Sequence, residues 1–146
     1  MSINATMSRA ECEAFLADVH VGVLSVAETG RGPCTVPVWY SYDPGQAIRI
    51  TVPPTSRKVR LLRAAGRASM CVQTETLPYR YVTVEGPIEI VEADLAADQR
   101  RIAARYLGEK LGARYLAANA EHLRQEVLLL LQPQRWWSVD FSKMRI

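Results

Sequence analysis

The chain has 146 residues, 49% hydrophobic and 23% charged, a composition that fits one globular domain (1–146) and is too short for two comfortable ones. Eighteen Lys and Arg against fifteen Asp and Glu give a net charge of +3, too weak to argue for nucleic acid by itself. The longest apolar run, Val127 to Leu131, is far too short to cross a bilayer, and residues 1–7 lack a basic start followed by a long apolar stretch, so a cytoplasmic protein with no membrane partner is the expectation.

In chain order, Ser8 and Glu11 have capping-box spacing and open a helix whose apolar face is Cys12, Phe15, Leu16 and Val19. Val21 to Ala27 reads as a strand, and Thr29 to Pro33 as a turn. A second strand, Cys34 to Tyr42, is closed by Asp43-Pro44-Gly45 into a hairpin with a third, Ala47 to Val52. Pro53-Pro54 stops that strand, and Thr55 or Ser56 can cap a short helix that runs to Ala65 and ends at Gly66. Ala68 to Thr74 and Arg80 to Glu92 are further strands, the second broken or bent near Gly86-Pro87. Asp94 can cap a helix through Tyr106, and another covers Glu109 to Ala120. Val127 to Leu131 is a continuous apolar strand, buried on both faces or at a dimer seam, and Trp136 to Phe141 is the last. Hairpins with inserted helices point to a mainly β fold, an antiparallel barrel with helices packed outside.

Three cysteines, none in a CxxC, argue against a disulfide framework and a zinc site, and neither His20 nor His122 lies in a ligand motif. There is no GxSxG, GxGxxG or GxxxxGK[ST]. No acidic residue falls between Asp43 and Glu75, whereas Arg49, Arg57, Lys58, Arg60, Arg63 and Arg67 do, so a local positive field is expected. The sharpest feature is Pro53-Pro54-Thr55-Ser56-Arg57-Lys58-Val59-Arg60. A strand ends, a turn follows, and a helix begins with a hydroxyl and two cations. Free N–H groups, a partial positive charge and Arg57 with Lys58 make an anion site suited to phosphate. At 100° per residue Arg57, Arg60 and Arg63 share one face, and Lys58 turns towards the protein body. The plainer alternative is a solvated cationic face.

Pro37 interrupts the aromatic-rich strand Val36-Pro37-Val38-Trp39-Tyr40. Either unpaired backbone groups there meet the polar edge of a flat heterocycle beside Trp39 or Tyr40, or Pro37 protects an edge strand. Trp136 and Trp137 are adjacent in a strand, so one faces inwards and the other outwards.

These segments, with Val21 to Val26, Arg67 to Gln73 and Val82-Thr83-Val84-Glu85-Gly86, resemble the pyridoxamine 5′-phosphate oxidase-like FMN-binding split-barrel superfamily over about Glu11 to Met144, and most resemble its small flavin- or deazaflavin (F420)-dependent reductases. The resemblance implies a split β-barrel of about six antiparallel strands in Greek-key order, a homodimer with cofactor at the interface, and hydride transfer between FMN or F420 and a small-molecule substrate. It implies that Ser56, Arg57 and Lys58 hold the cofactor phosphate. Val36, Pro37, Val38, Trp39, Thr51 and Val52 would then line the ring, with Gln73 and Trp136 contributing from the same subunit or its partner. Arg60 and Arg63 would suit a longer polyanionic deazaflavin tail. The C-terminal Trp136 to Met144 lacks the Arg-rich substrate motif of the vitamin B6 oxidases. A non-catalytic flavin or haem carrier of the same fold is the alternative. No side chain is singled out as catalytic acid or base, and aromatics at 8% with cations gathered in one helix do not suggest nucleic acid.

Overall fold

The computed structural model describes residues 4–144. Helix α1 (Arg9–Ala17) starts in a capping box: the Glu11 amide donates to Ser8 Oγ at 3.1 Å, and the Ser8 amide to Glu11 Oε1 at 3.0 Å. Cys12, Phe15 and Leu16 are buried, but Val19 lies beyond the helix and is 57% exposed, so the apolar face ends a turn earlier than its spacing predicts. The Ser8 amide, then Lys143, lower the Glu11 carboxyl to about 2. Ser8→Ala is expected to lower stability by about 1 kcal/mol in urea unfolding, the usual effect of losing a cap. The Glu11 contribution is present above its ordinary pKa of 4.5 and is lost as pH falls towards 2.

Seven strands follow: β1 (Gly22–Val26), β2 (Cys34–Val38), β3 (Ile48–Val52), β4 (Arg67–Gln73), β5 (Arg80–Val91), β6 (Val127–Leu131) and β7 (Arg135–Asp140). All pairings are antiparallel. The order is β2–β1–β4–β5–β6–β3, with β7 also on β5. Among the described residues the two ends of this curled sheet pair only through an isolated bridge between Ser41 and Arg49, so the barrel is split. The turn at Asp43 is as expected, with the Gln46 amide donating to the Asp43 carbonyl at 3.0 Å, but β2 and β3 do not continue as a hairpin. Instead β3 pairs along its length with β6, because Val127 to Leu131 offers a fully apolar partner. That strand is central, between β3 and β5.

The strand β5 is continuous through Gly86-Pro87. Its first half pairs with β4 and β7 and its second half with β6. Gly86 marks the handover: a Cβ there would lie 1.8 Å from the Gln132 carbonyl oxygen. Inside the curl, Leu24, Val26, Ile48, Ile50, Met70, Val72, Val82, Val84, Leu129 and Leu131 form the core with Phe15 and Leu16 of α1.

Helix α2 (Arg57–Ala65) joins β3 to β4, burying Val59 and Leu62 and ending at Gly66 in the left-handed region, φ 69°. Between β5 and β6 lie α3 (Ala96–Leu107), α4 (Glu109–Ala118) and α5 (Ala120–Leu123). Asp94 accepts from the Ala96 amide at 3.0 Å, although Leu95 is the capping position of α3. Gly112 lets α4 approach the α3 backbone, a Cβ there lying 3.1 Å from Ala103 C. A set of polar contacts ties α3 to the barrel. Arg49 forks onto Asp98 at 2.6 and 3.1 Å, and Arg101 onto Asp43 at 2.7 and 2.8 Å. Arg105 donates to the carbonyls of Ala17 (2.7 Å) and Asp18, and Tyr106 Oη donates to the His20 carbonyl at 2.6 Å.

Candidate functional site

The inserted helices cover the open side of the curl and leave a cavity of about 370 Å³ beneath them. One wall is the end of β2, Pro37 to Trp39, with β3 from Ile50 into Pro53. The other is helical: Gln99, Ile102 and Ala103 of α3, Tyr115 and Leu116 of α4, then Leu123 and Glu126. Lys58 reaches in from the first turn of α2.

The aromatic part of the wall is held from behind. Trp39 stacks on Tyr106, ring centroids 4.9 Å apart and planes 8° from parallel, and Tyr115 is tilted against Trp39 at 6.2 Å. Tyr106 is fixed through its hydroxyl, which takes the Tyr40 amide at 3.1 Å while donating to His20. Four polar side chains line this space among the apolar ones: Thr51, Lys58, Gln99 and Glu126. Gln99 Nε2 donates to the Leu123 carbonyl at 2.7 Å and to Glu126 Oε1 at 3.1 Å, which fixes the carboxyl. Burial pushes the Glu126 pKa up; Gln99, His122, Thr51 and Lys58 pull the other way.

Six of the twelve residues singled out from sequence meet here: Pro37, Val38, Trp39, Thr51, Val52 and Lys58. Lys58 is half-buried and turned inwards, as its helical position predicts, whereas Arg57 and Arg60 are exposed. The other six stand outside the cavity lining. Val36 packs against the core. Ser56 is the N-cap of α2, but its hydroxyl donates back to the Pro53 carbonyl at 3.0 Å and leaves the first helical amides uncapped. Arg57 is ion-paired with Glu28, a partner 29 positions away that the local run of cations gives no sign of. Gln73 is exposed on β4, opposite Tyr81. Trp136 packs half-buried on the core under the Arg9 guanidinium, 4.5 Å from its ring, with Nε1 buried and unpartnered, while Trp137 is 50% exposed.

The positive field expected around α2 is partly cancelled by distant acids: Arg49 by Asp98, Arg57 by Glu28, and Arg63 by Glu92 at 3.5 Å. Among the described residues no ion pair engages Lys58 or Arg60. The helical wall has no sequence motif. Ile102, Ala103 and Leu116 read as ordinary helix faces, and Glu126 is a single acid before an apolar strand. Among the described residues there is no cluster of metal-ligating side chains, and no helix is long and apolar enough to cross a membrane.

The architecture recurs in solved structures. A conserved hypothetical protein from Mycobacterium tuberculosis superposes with a TM-score of 0.77 at 24% identity, over 99% of this chain and 91% of that one. An F420 reductase matches with a TM-score of 0.59 at 23% identity, over 85% of this chain and 94% of its own. An FAD- and haem-binding protein from Mycobacterium smegmatis gives 0.73 at 17%, over 94% and 73%. At these identities the likeness is one of fold. No curated protein matches the sequence. The match to the pyridoxamine 5′-phosphate oxidase family runs over residues 8–138, from the cap of α1 into β7, and the chain belongs to that family.

Proposed function

We propose that this protein is an oxidoreductase that binds FMN or F420 and transfers a hydride between that cofactor and a small organic substrate. The observation that carries this reading is Lys58, an inward-turned cation at the uncapped start of α2, entering an apolar and aromatic cavity beside Thr51. A phosphate suits that helix start, and a flat ring suits the wall of Pro37, Val38, Trp39 and Val52. The volume of about 370 Å³ is within the range of small-ligand sites. The family and the F420-reductase fold neighbour support the same reading.

When bound, the reduced ring would supply the hydride; the chain binds, orients and keeps water out. Lys58 neutralises phosphate charge. Arg57 joins it by exchanging Glu28 for the phosphate, and Arg60 offers a further charge to an extended anionic tail.

A second copy of the chain is the proposed partner. Val23, Cys71, Thr83 and Trp137 stand in one paired row across the outer face of β1, β4, β5 and β7, with Val23 41% and Trp137 50% exposed. Such a flat apolar row suits a homodimer. Gln73 lies on that same face and would reach a cofactor only at such an interface, whereas Trp136 of β7 lies on the opposite, core-facing side.

The test is an absorbance and fluorescence titration with FMN and, separately, F420. Saturable micromolar binding of one, lost in the Arg57→Ala/Lys58→Ala double variant while the fold is retained, is the expected result. Full occupancy in the double variant would refute the anion site, and binding of neither cofactor would refute the oxidoreductase reading. The fold shared with an FAD- and haem-binding protein supports a second reading, a carrier without turnover. Oxidation of bound reduced cofactor by added acceptors separates the two.

A further inference from the structure

We propose that Glu126 makes cofactor binding proton-coupled: its carboxylate is charged while the cavity is free, and it takes up a proton from solvent when the cofactor phosphate engages Lys58. The proposal deepens the reading of Lys58 as the phosphate anchor and rests on it. Among the described residues that line the cavity, Lys58 is the one cation and Glu126 the one acid.

The β3–β6 register brings the two together. Val52 pairs with Val127 at the last rung, so Pro53 and Glu126 leave the sheet side by side. From Pro53 the chain turns at once, the Ser56 amide donating to its carbonyl at 3.3 Å, and two residues later Lys58 reaches back into the same space. A phosphate brings a charge of about −1 to −2, of which one ammonium cancels a single unit. Beside an ionised carboxylate in a half-buried cavity the remainder is a like-charge pair, which disfavours the charged form of the group that can be neutralised. An ammonium has no further proton to accept, whereas the carboxyl has.

The seat of Glu126 accommodates both states. Gln99 Nε2 donates to Oε1 at 3.1 Å, a bond that a carboxylate and a carboxylic acid accept equally, and Oε2 is left to carry the proton. Burial raises the Glu126 pKa, against Gln99 of α3, His122 of α5, Thr51 of β3 and Lys58 of α2, and Tyr115 of α4 lines the same cavity. Engaging Lys58 offsets one of the opposing charges and adds a negative one, and both changes push the pKa further up. Binding therefore takes up a proton between the free and bound pKa values of Glu126. Affinity is greatest below the free value and falls as pH rises through the bound one.

The test is calorimetric titration with FMN, with F420 and with riboflavin, each in two buffers of different ionisation enthalpy, between about pH 5.5 and 8. The expected result is net proton uptake with FMN or F420, whichever binds, and none with riboflavin, which lacks the phosphate. The phosphate's own proton moves the other way, because a neighbouring cation favours its fuller charge. Affinity in the unaltered protein should fall with rising pH by up to about tenfold per unit, a readout independent of any variant's folding. Glu126→Gln keeps an acceptor for Gln99; it should bind the same cofactor about tenfold more tightly at about pH 8 and take up no proton. Imidazoles also titrate near neutrality, so His122→Gln is the control and should retain the uptake. Binding of FMN or F420 without proton uptake, equal uptake with riboflavin, uptake that persists in Glu126→Gln, or uptake lost in His122→Gln would overturn the proposal and leave the cofactor reading standing. Binding of neither FMN nor F420 would overturn both.

Discussion

Gly86→Ala is expected to destabilise the protein by roughly 3 kcal/mol, the upper part of the range for overpacking a filled interior. The added Cβ would meet the Gln132 carbonyl oxygen at 1.8 Å, Gln132 C at 3.0 Å and Gln134 N at 3.2 Å. All three are backbone, so no side chain can swing aside. Relief requires moving the β6–β7 connection, which is pinned by the Gln132 amide on the Pro87 carbonyl at 3.0 Å and the Gln134 amide on Glu85 at 2.9 Å. Gly32→Ala is the control: nothing lies within 4 Å of a Cβ there, and the change should stay within about 0.5 kcal/mol. Urea unfolding of the two variants side by side checks both. Equal midpoints would mean that the handover on β5 is not tightly packed.

Lys58→Ala and Arg57→Ala should separate in cofactor affinity, with Lys58 the larger effect. A hydrogen bond to a charged group is worth about 1.5–3 kcal/mol, so losing Lys58 from phosphate is expected to weaken FMN or F420 binding by roughly 10- to 100-fold. Arg57 must first leave Glu28, which discounts its contribution; its replacement should weaken binding by only a few-fold. Riboflavin, which lacks the phosphate, should bind both variants as it binds the unaltered protein. Titration of the three proteins with FMN and riboflavin gives the comparison. Equal losses for FMN and riboflavin in Lys58→Ala would place the ammonium against the ring instead of the phosphate.

The elements with local punctuation were readable from the chain itself. The capping box at Ser8, the stop at Pro53-Pro54 and the glycine at the end of α2 each act within a few residues, and each stands where expected. The inward turn of Lys58 follows from helical periodicity alone. Strand pairing was less readable. The turn at Asp43 suggests a hairpin, yet β3 joins β6, and that choice depends on an apolar strand 79 positions beyond Ile48. Half of the cavity was hidden for the same reason. Gln99, Tyr115 and Glu126 come from separate elements and share no spacing, so only the packing of the inserted helices brings them to Lys58. The expected field around α2 failed in part because charge neutralisation is spatial: Glu28, Asp98 and Glu92 lie far along the chain from the arginines they pair with.

The attachment of α3 has a dynamic consequence. The barrel wall of the cavity belongs to a continuous hydrogen-bonded sheet, whereas the helical wall is held on chiefly by arginine forks, a tyrosine hydroxyl and a few apolar side chains. Opening α3–α5 would therefore break no strand pairing. Amide hydrogen exchange should be faster in α3 and α4 than in β4 to β6, and faster still as salt screens Arg49–Asp98 and Arg101–Asp43. A ligand gripped from both walls would slow exchange in the helices while leaving the sheet unchanged, so occupancy would be written in the half of the site that sequence reading did not find.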